Sequence, residues 1–454
     1  MRKTNEETTS LAIISGIPSS ARRVGITTLG CKVNQYESAA LAEDLQKYFV
    51  LVPFNSTADI YIINTCTVTA FSDFQARQLI RRAHRTNPSA KILVTGCYAQ
   101  IAPGEIAALD GVTMVIGNDF KNKITELLRD DRTATASIFT GDIFRQKKIC
   151  NMPVVVFRDR TRAFLKIQDG CNSFCSYCIV PFARGVSRSL QPQDIFSALA
   201  RFKEGNYKEI VFTGIHLGIY GHDLEPAIDL SHILKEISIR LRDTRIRLSS
   251  IEPREVTDDL LNIFINSDFL CPHMHIPLQS GDDRILQLMK RNYDANFYRN
   301  LIEKICSTVS DIAIGVDVMV GFPSETEKQF KNTLNLLTDL PVAYLHVFPY
   351  SERPGTPAQK LQPQIPESVK KERAAVLRNL SLKKREIFAL RFLGKPLKVI
   401  VEKTKDKKTG LLKGFSQNYL PFLLAGDTDS LVNKIVTVRT EKYIAGKLYG
   451  KIIT

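Results

Sequence analysis

The stretch Lys166-Ile-Gln-Asp-Gly-Cys171-Asn-Ser-Phe-Cys175-Ser-Tyr-Cys178 follows an apolar run, 163–167, that reads as a strand. Three thiols fall within eight residues of one loop, close enough in the chain to point inward at a single metal centre. Their spacing, three intervening residues and then two, is neither the paired two-residue gap of a zinc ribbon nor the run of a bacterial ferredoxin. An iron–sulfur cubane held by only three cysteines keeps one iron open to a substrate or cofactor. A zinc knuckle short of its fourth ligand and a set of three buried thiols are the other readings of this spacing.

Outward from that loop, strand-like runs recur at 163–167, 209–213, 245–250, 273–278, 315–320 and 344–349, with helical spacers between them. Six such units suit an open or partial β/α barrel and are too few for a closed eight-unit one. The cysteine loop then lies at the carboxyl end of the first strand, and residues 213–218, 249–252, 279–281 and 321–325 reach the same face. Polar groups that follow buried strands are placed to line a cofactor pocket. Ser250 and Glu252 are candidates for contacting a cofactor or orienting a neighbour, with a helix cap as the competing role. Gln279 is a candidate for a nucleobase or ribose hydrogen bond, and Asp317 for an inward-facing anchor or a buried ion pair. His216, His273, His275 and His346 are assigned to core packing or hydrogen bonding, not to zinc. Arg184 and Arg188 are read as guides for phosphate, holders of a cofactor carboxylate, or ion-pair partners, and Arg353 as an RNA contact or an ion-pair partner.

Upstream, apolar runs at 24–28, 60–63, 92–95 and 112–116 alternate with helical patterns at 37–49, 74–83, 101–109 and 121–128. That alternation predicts a parallel sheet flanked by helices, because such strands are buried on both faces while the crossovers carry helical stripes. Cys31, Cys66 and Cys97 follow the first three runs, so all three belong beyond the same carboxyl edge, where open α/β sheets build sites. A second cluster on Cys31, Cys66 and Cys97 follows as a hypothesis, again with one iron lacking a protein thiolate. Buried structural cysteines are the alternative.

The 454-residue chain carries a net charge of +15, which favours a polyanionic partner. Nine cysteines, an odd count, fit a reducing compartment and metal ligation better than extracellular pairing. Cys150, Cys271 and Cys306 lie outside both sets and are read as structural thiols. Residues 1–20 lack the basic start, long apolar core and cleavage pattern of a signal peptide, and a flexible extension is expected there. No run approaches membrane-spanning length, so a cytoplasmic location with no membrane partner is expected. Beyond a charged helix at 370–388, short runs at 397–402, 409–415, 420–424, 431–440 and 443–448 predict a small antiparallel β-barrel. Within it, Phe415 and Tyr419 stand near amides as base stacking on RNA requires, with a core role for the rings as the alternative.

The contexts Thr28-Leu-Gly-Cys31-Lys-Val-Asn-Gln-Tyr-Glu-Ser38, Asn64-Thr-Cys66-Thr-Val-Thr69 and Thr95-Gly-Cys97-Tyr-Ala-Gln100, together with the stretch from Gly170 to Gly185, resemble the radical S-adenosylmethionine methylthiotransferase family. The resemblance covers the chain from Val24 onward, and its wording at Gly30 to Asn34 and Lys166 to Gly170 is similar to the branch acting on N6-threonylcarbamoyladenosine at tRNA position 37. It implies an α/β protein with a flexible extension (1–20), an N-terminal parallel-sheet domain (21–152), a partial β/α radical-SAM barrel (153–380), and a linker with a small C-terminal β-barrel, the RNA-binding TRAM domain (381–454). It implies two [4Fe-4S] clusters. One, on Cys171, Cys175 and Cys178, would reduce S-adenosyl-L-methionine chelated at its open iron to give a 5′-deoxyadenosyl radical; the other, on Cys31, Cys66 and Cys97, would carry sulfur. Gly214 resembles the position that brings backbone near the methionine part of the cofactor, beside Ser250 and Glu252. The expected reaction is methylthiolation of C2 of threonylcarbamoyladenosine in the tRNA anticodon loop, served by a reducing electron donor and a sulfur source. Methylthiolation of an aspartate in a ribosomal protein, and a non-catalytic redox-linked RNA-binding protein, are the competing readings.

Overall fold

The structure, a computed structural model of the chain, describes residues 21–130, 137–150, 152–157, 160–240, 244–426 and 428–453; the extension expected at 1–20 lies outside the described residues. Two compact units form. The first holds the chain up to Val156 with Gly170–Asn172 and Ile179–Val186, and the second holds Phe157–Asp169, Ser173–Cys178 and Ser187–Thr454.

The first unit is built from β1 (Arg23–Thr28), α1 (Lys32–Leu45), β2 (Val50–Val52), β3 (Ile60–Thr65), α2 (Ala70–Thr86), β4 (Lys91–Gly96), α3 (Cys97–Ile101), α4 (Pro103–Ala107), β5 (Val112–Ile116), α5 (Ile124–Arg129) and β6 (Ser137–Phe139). Its six strands make one sheet in the order β2-β1-β3-β4-β5-β6, every pairing parallel. The central strand β3 is buried along its whole length, as a strand covered on both faces must be. On one face Ala76, Ile80 and Ala83 of α2 pack against Tyr61, Ile63, Ile92 and Val94. The Thr69 hydroxyl caps that helix by accepting from Ser72 N at 3.2 Å. The single helix expected over 101–109 is broken into α3 and α4, because Pro103 has no N–H with which to continue a helix. The short strands β2 and β6 extend the sheet beyond the four expected strands.

The second unit begins with β7 (Ala163–Lys166) and β8 (Gln168–Asp169). It is followed in the chain by α6 (Val180–Arg184), which belongs to the first unit, and then by β9 (Arg188–Ser189), α7 (Pro192–Glu204), β10 (Glu209–Thr213), α8 (Leu230–Arg240), β11 (Arg245–Leu248), α9 (Asp258–Asn266), β12 (His273–His275), α10 (Asp283–Leu288), α11 (Ala295–Thr308), β13 (Ala313–Val320), α12 (Glu327–Asp339) and β14 (Tyr344–Pro349). Strands β7, β10 and β11 form one parallel ribbon and β12, β13 and β14 another. Parallel bridges at Ile246–Leu270 and Ser250–His275 join the two, giving the six-strand partial barrel. Strand β12 ends at His275, three residues short of the expected run, though Ile276 N and Leu278 N, on either side of Pro277, still donate to Gly315 O and Asp317 O at 2.9 and 3.0 Å.

A single helix, α13 (Glu367–Leu390), leads to β15 (Pro396–Lys405), β16 (Leu412–Ser416), β17 (Pro421–Leu424), β18 (Ile435–Ile444) and β19 (Lys447–Ile452). These close a barrel in the order β15-β16-β17-β19-β18, of the TRAM-like kind. Its seam between β17 and β19 is parallel, where an antiparallel barrel was expected. The core of this small barrel runs without a break into the larger one, since Phe388, Phe392, Ala313, Ala343 and Tyr344 pack with Val399, Leu412, Phe422 and Val438.

Candidate active site

Cys31 caps α1, Cys66 follows β3 and Cys97 opens α3, so each thiol stands just past the carboxyl end of one of three neighbouring parallel strands. Close backbone approach draws the three loops together. A Cβ on Gly30 would meet Cys66 Cβ at 2.7 Å, and one on Gly96, whose φ is +100°, would meet Thr65 O at 2.3 Å. Asn34 Nδ2 donates to Leu29 O at 2.8 Å and to Thr65 O at 3.0 Å, and Asn64 Nδ2 donates to Asn34 O at 3.0 Å. Burial pushes the Cys66 thiol up to about 11, and the charges of Cys97 and Cys31 push the same way. Desolvation also raises Cys31, against the pull of Arg184. A metal held by these thiols would relieve both effects, because it would bind the thiolates and neutralise them.

The second set lies on the loop that the two-residue antiparallel ladder of β8 with β9 closes at its base. Gly170, at φ +78°, passes so near Val186 O that a Cβ would sit 2.0 Å from it, and Cys171 N donates to Gly185 O at 3.0 Å. Further along, Ser176 N donates to Met289 O at 3.1 Å, and its hydroxyl donates to Leu288 O at 2.6 Å. Tyr177, the aromatic before the last cysteine, packs with Ile285, Met289 and Phe322, so it anchors the loop to the barrel. Arg291 Nη1 donates to Cys175 Sγ at 3.3 Å, while its other nitrogen pairs with Glu252. Burial raises the Glu252 carboxyl, with Arg291 and His216 opposing.

Among the cofactor candidates, Gly214 packs on Gln168, whose Oε1 would lie 2.8 Å from an added Cβ and accepts from His216 N at 2.7 Å. His216 is held between Ser173 Oγ, 3.3 Å from its Nδ1, and Glu255. Glu252 forms a capping box with Glu255 as well as the Arg291 pair. Ser250 is exposed and bridges His275 through its backbone; its neighbour Ser249 is buried, with a hydroxyl that has no hydrogen-bond partner. Gln279 sits at φ +67° and is used through its backbone, its N–H donating to Asp317 O at 2.9 Å. Asp317 accepts from His275 Nε2 at 2.8 Å and from His346 Nδ1 at 3.4 Å.

Of the alternatives left open for the arginines and the barrel aromatics, the structure favours the buried ones. Arg184, 1% exposed, pairs with Glu37, and Arg188 and Arg353 are also buried, so none is offered to a phosphate at the surface. Phe415 and Tyr419 turn inward: Arg162 lies over Phe415, Arg247 over Tyr419, and Tyr419 packs on His273 with ring centroids 4.7 Å apart. Backbone carbonyls of the same hairpin accept from Arg245 and Arg247, and both arginines are paired with the fully buried Glu209. Arg291 and Lys121 stand outside every quoted motif; Gln168, Glu37, Asn34 and Asn64 lie inside the quoted cysteine contexts, and Ser249 on the same face, but sequence alone gives none of them a role.

Among the described residues, the group of three donor atoms that lie within 4.8 Å of one another belongs to His275, Asp317 and His346. Three soft donors per set, loops that only glycine fits, and an arginine N–H on a sulfur in each set suit an iron–sulfur cluster.

A parallel partial barrel with a three-cysteine loop at the end of its first strand defines an enzyme of the radical S-adenosylmethionine class. Residues 165–337 match the Radical SAM superfamily, and residues 23–117 match the Uncharacterized protein family UPF0004. A radical S-adenosylmethionine methyltransferase from Kitasatospora setae shares the fold, with a TM-score of 0.56 at 13% identity over 75% of this chain and 77% of that one. The threonylcarbamoyladenosine tRNA methylthiotransferase MtaB of Bacillus subtilis is 39% identical over 94% of this chain and 95% of its own. The enzyme of the same name from Aquifex aeolicus is 40% identical over 84% and 92%. The chain belongs to the MtaB-type family of radical-SAM tRNA methylthiotransferases. Its chemistry uses a [4Fe-4S] cluster and S-adenosylmethionine. Among the described residues, no helix is long and apolar enough to cross a membrane.

Proposed function

We propose that the chain methylthiolates C2 of N6-threonylcarbamoyladenosine at position 37 of tRNA, with Cys171, Cys175 and Cys178 holding one [4Fe-4S] cluster and Cys31, Cys66 and Cys97 a second. The observation that carries the two-cluster reading is the meeting of three strand-end loops around Cys31, Cys66 and Cys97, cross-tied by Asn34 and Asn64. The substrate reading is supported by full-length likeness to enzymes named for that nucleoside. Bound at the barrel mouth, the cluster and S-adenosylmethionine supply one-electron chemistry, which an unactivated heteroaromatic C–H bond needs and acid–base groups cannot give.

The chain's own residues do the positioning. Arg291 donates to Cys175 and is oriented by Glu252, which fixes the charge beside the loop. Gly214 lets the backbone lie flat on Gln168, and Gln168 in turn holds the His216 backbone. The buried hydroxyl of Ser249 is available to a ribose or carboxylate. The net charge of +15 attracts the tRNA, and a reducing donor and a sulfur source complete the reaction.

Anaerobic reconstitution followed by an iron count, with mass spectrometry of nucleosides after reaction with threonylcarbamoyladenosine-containing tRNA, tests this reading. About eight irons per chain and a 2-methylthio product are expected. S-adenosylmethionine cleavage with about four irons and unmodified tRNA would reject it, and a methylthiolated peptide with unchanged tRNA would move the substrate to protein.

A further inference from the structure

Arg184 ends α6 and divides its donors three ways. Nε donates to Cys97 Sγ at 3.3 Å, Nη1 to Glu37 Oε1 at 2.5 Å, and Nη2 to Asn34 Oδ1 and to Glu37 Oε2 at 3.1 Å. Lys121 Nζ reaches the same carboxylate at 2.5 Å, and it too is buried. Of these three groups two are positive and one is negative. Arg184 Nε, turned away from that carboxylate, is the donor that meets the Cys97 sulfur. The same short helix also reaches the other cysteine set: the carbonyl of Gly185, one residue past Arg184, accepts from Cys171 N at 3.0 Å. Asn118 Nδ2 fixes the helix between them, donating to Ala183 O at 2.8 Å and lying 3.9 Å from Cys97 Sγ.

We propose that Arg184, backed by Glu37 and Lys121, is a positioning residue that holds a fixed positive charge against the cluster of Cys31, Cys66 and Cys97, strengthening its retention and raising its reduction potential. The inference rests on the second cluster put forward above. Reduction adds negative charge to a cluster, so a cation kept at 3.3 Å from a ligand sulfur favours the reduced form. The rigid fork of arginine grips Glu37 with two nitrogens and leaves Nε aimed at the sulfur, a geometry that a lysine cannot copy.

In a Cys171→Ala/Cys175→Ala/Cys178→Ala background only the N-terminal site can load, so its iron content, its resistance to a chelator and its midpoint potential can be read by themselves. R184M is expected to hold iron about 10–100-fold more weakly in chelator competition, with a lower potential. E37Q, which removes the anion and leaves both cations, should move the potential the other way, and R184K should restore the potential without restoring retention. Lost packing would not give shifts of opposite sign. Equal potentials in the parent, R184M and E37Q would overturn the proposal while leaving the second cluster standing. A parent that binds no iron would overturn the second cluster and the proposal with it. Should R184M fail to fold by circular dichroism, the E37Q potential decides alone, and no upward shift overturns the proposal.

Discussion

Cys171, Cys175 and Cys178 are neighbours along the chain, whereas Cys31, Cys66 and Cys97 meet only because three parallel strands end side by side. The loop set needs a local backbone path, fastened by Ser176, Tyr177 and the β8–β9 ladder. The sheet set needs correct strand register and two glycines where nothing larger fits. Two sets of three thiols therefore rest on unequal supports, and the clusters proposed on them should fail under different insults.

The largest separation is expected from single cysteine replacements. C175A should abolish both S-adenosylmethionine cleavage and methylthio product, while C66A should keep cleavage and lose product; product formed by C66A would end the division of labour. Next comes the floor of the large barrel. E209Q leaves Arg245 and Arg247 buried without their carboxylate and should cost about 3–5 kcal/mol, with iron lost from the loop set before the sheet set. Burial alone would raise the Glu209 carboxyl, but Arg247, Arg245 and Arg162 hold it well below the usual carboxylate range. A depressed carboxylate stabilises the fold above its unfolded pKa, near 4.5, and that stability is lost as pH falls through the folded value. The gap between E209Q and the parent in unfolding of cluster-free protein should thus be widest at neutral pH and close below about pH 4.5; a gap independent of pH would refute the ionic account.

A smaller effect is expected at Gly96. G96A combines a left-handed backbone with a Cβ against Thr65 and should cost about 1–3 kcal/mol, with iron lost from the sheet set alone. G446A, at φ +82° in open space, should cost only about 1 kcal/mol and leave both iron sites full. The smallest effect separates two adjacent serines in titrations with S-adenosylmethionine. S249A should weaken binding by about 1 kcal/mol, roughly fivefold in Kd, and S250A by less than about twofold. The reverse order would return the contact to Ser250.

Much of this was legible in the sequence, because buried parallel strands announce themselves as apolar runs. β10 and β14 begin and end where the pattern placed them, and the strand ends carried Cys31, Cys66 and Cys97 to one edge. What pattern could not supply were contacts made across long separations. Arg184 beside a cysteine loop reads equally as a guide for phosphate, a holder of a carboxylate or an ion-pair partner until Glu37, 147 positions away, is seen to pair with it. Phe415 and Tyr419 could be read either for base stacking or for a core role, because the arginines that cover them, Arg162 and Arg247, belong to another domain of the sequence. Ser249 and Ser250 differ only in which way a strand end faces, and period-two alternation becomes ambiguous where the strand stops.

The arginines under the large barrel are capped by carbonyls that lie 153 and 170 positions later in the chain. During translation, at about 5–20 residues per second, the strands that carry Arg245 and Glu209 therefore wait roughly 10–30 s for their lid. In that interval the floor is an open, charged hollow, a target for chaperones and proteases. A chain broken off before Lys398 stays in that condition. Quality control can then recognise such a truncated chain without any dedicated signal, because the carbonyls that cover these arginines are made after the strands that carry them.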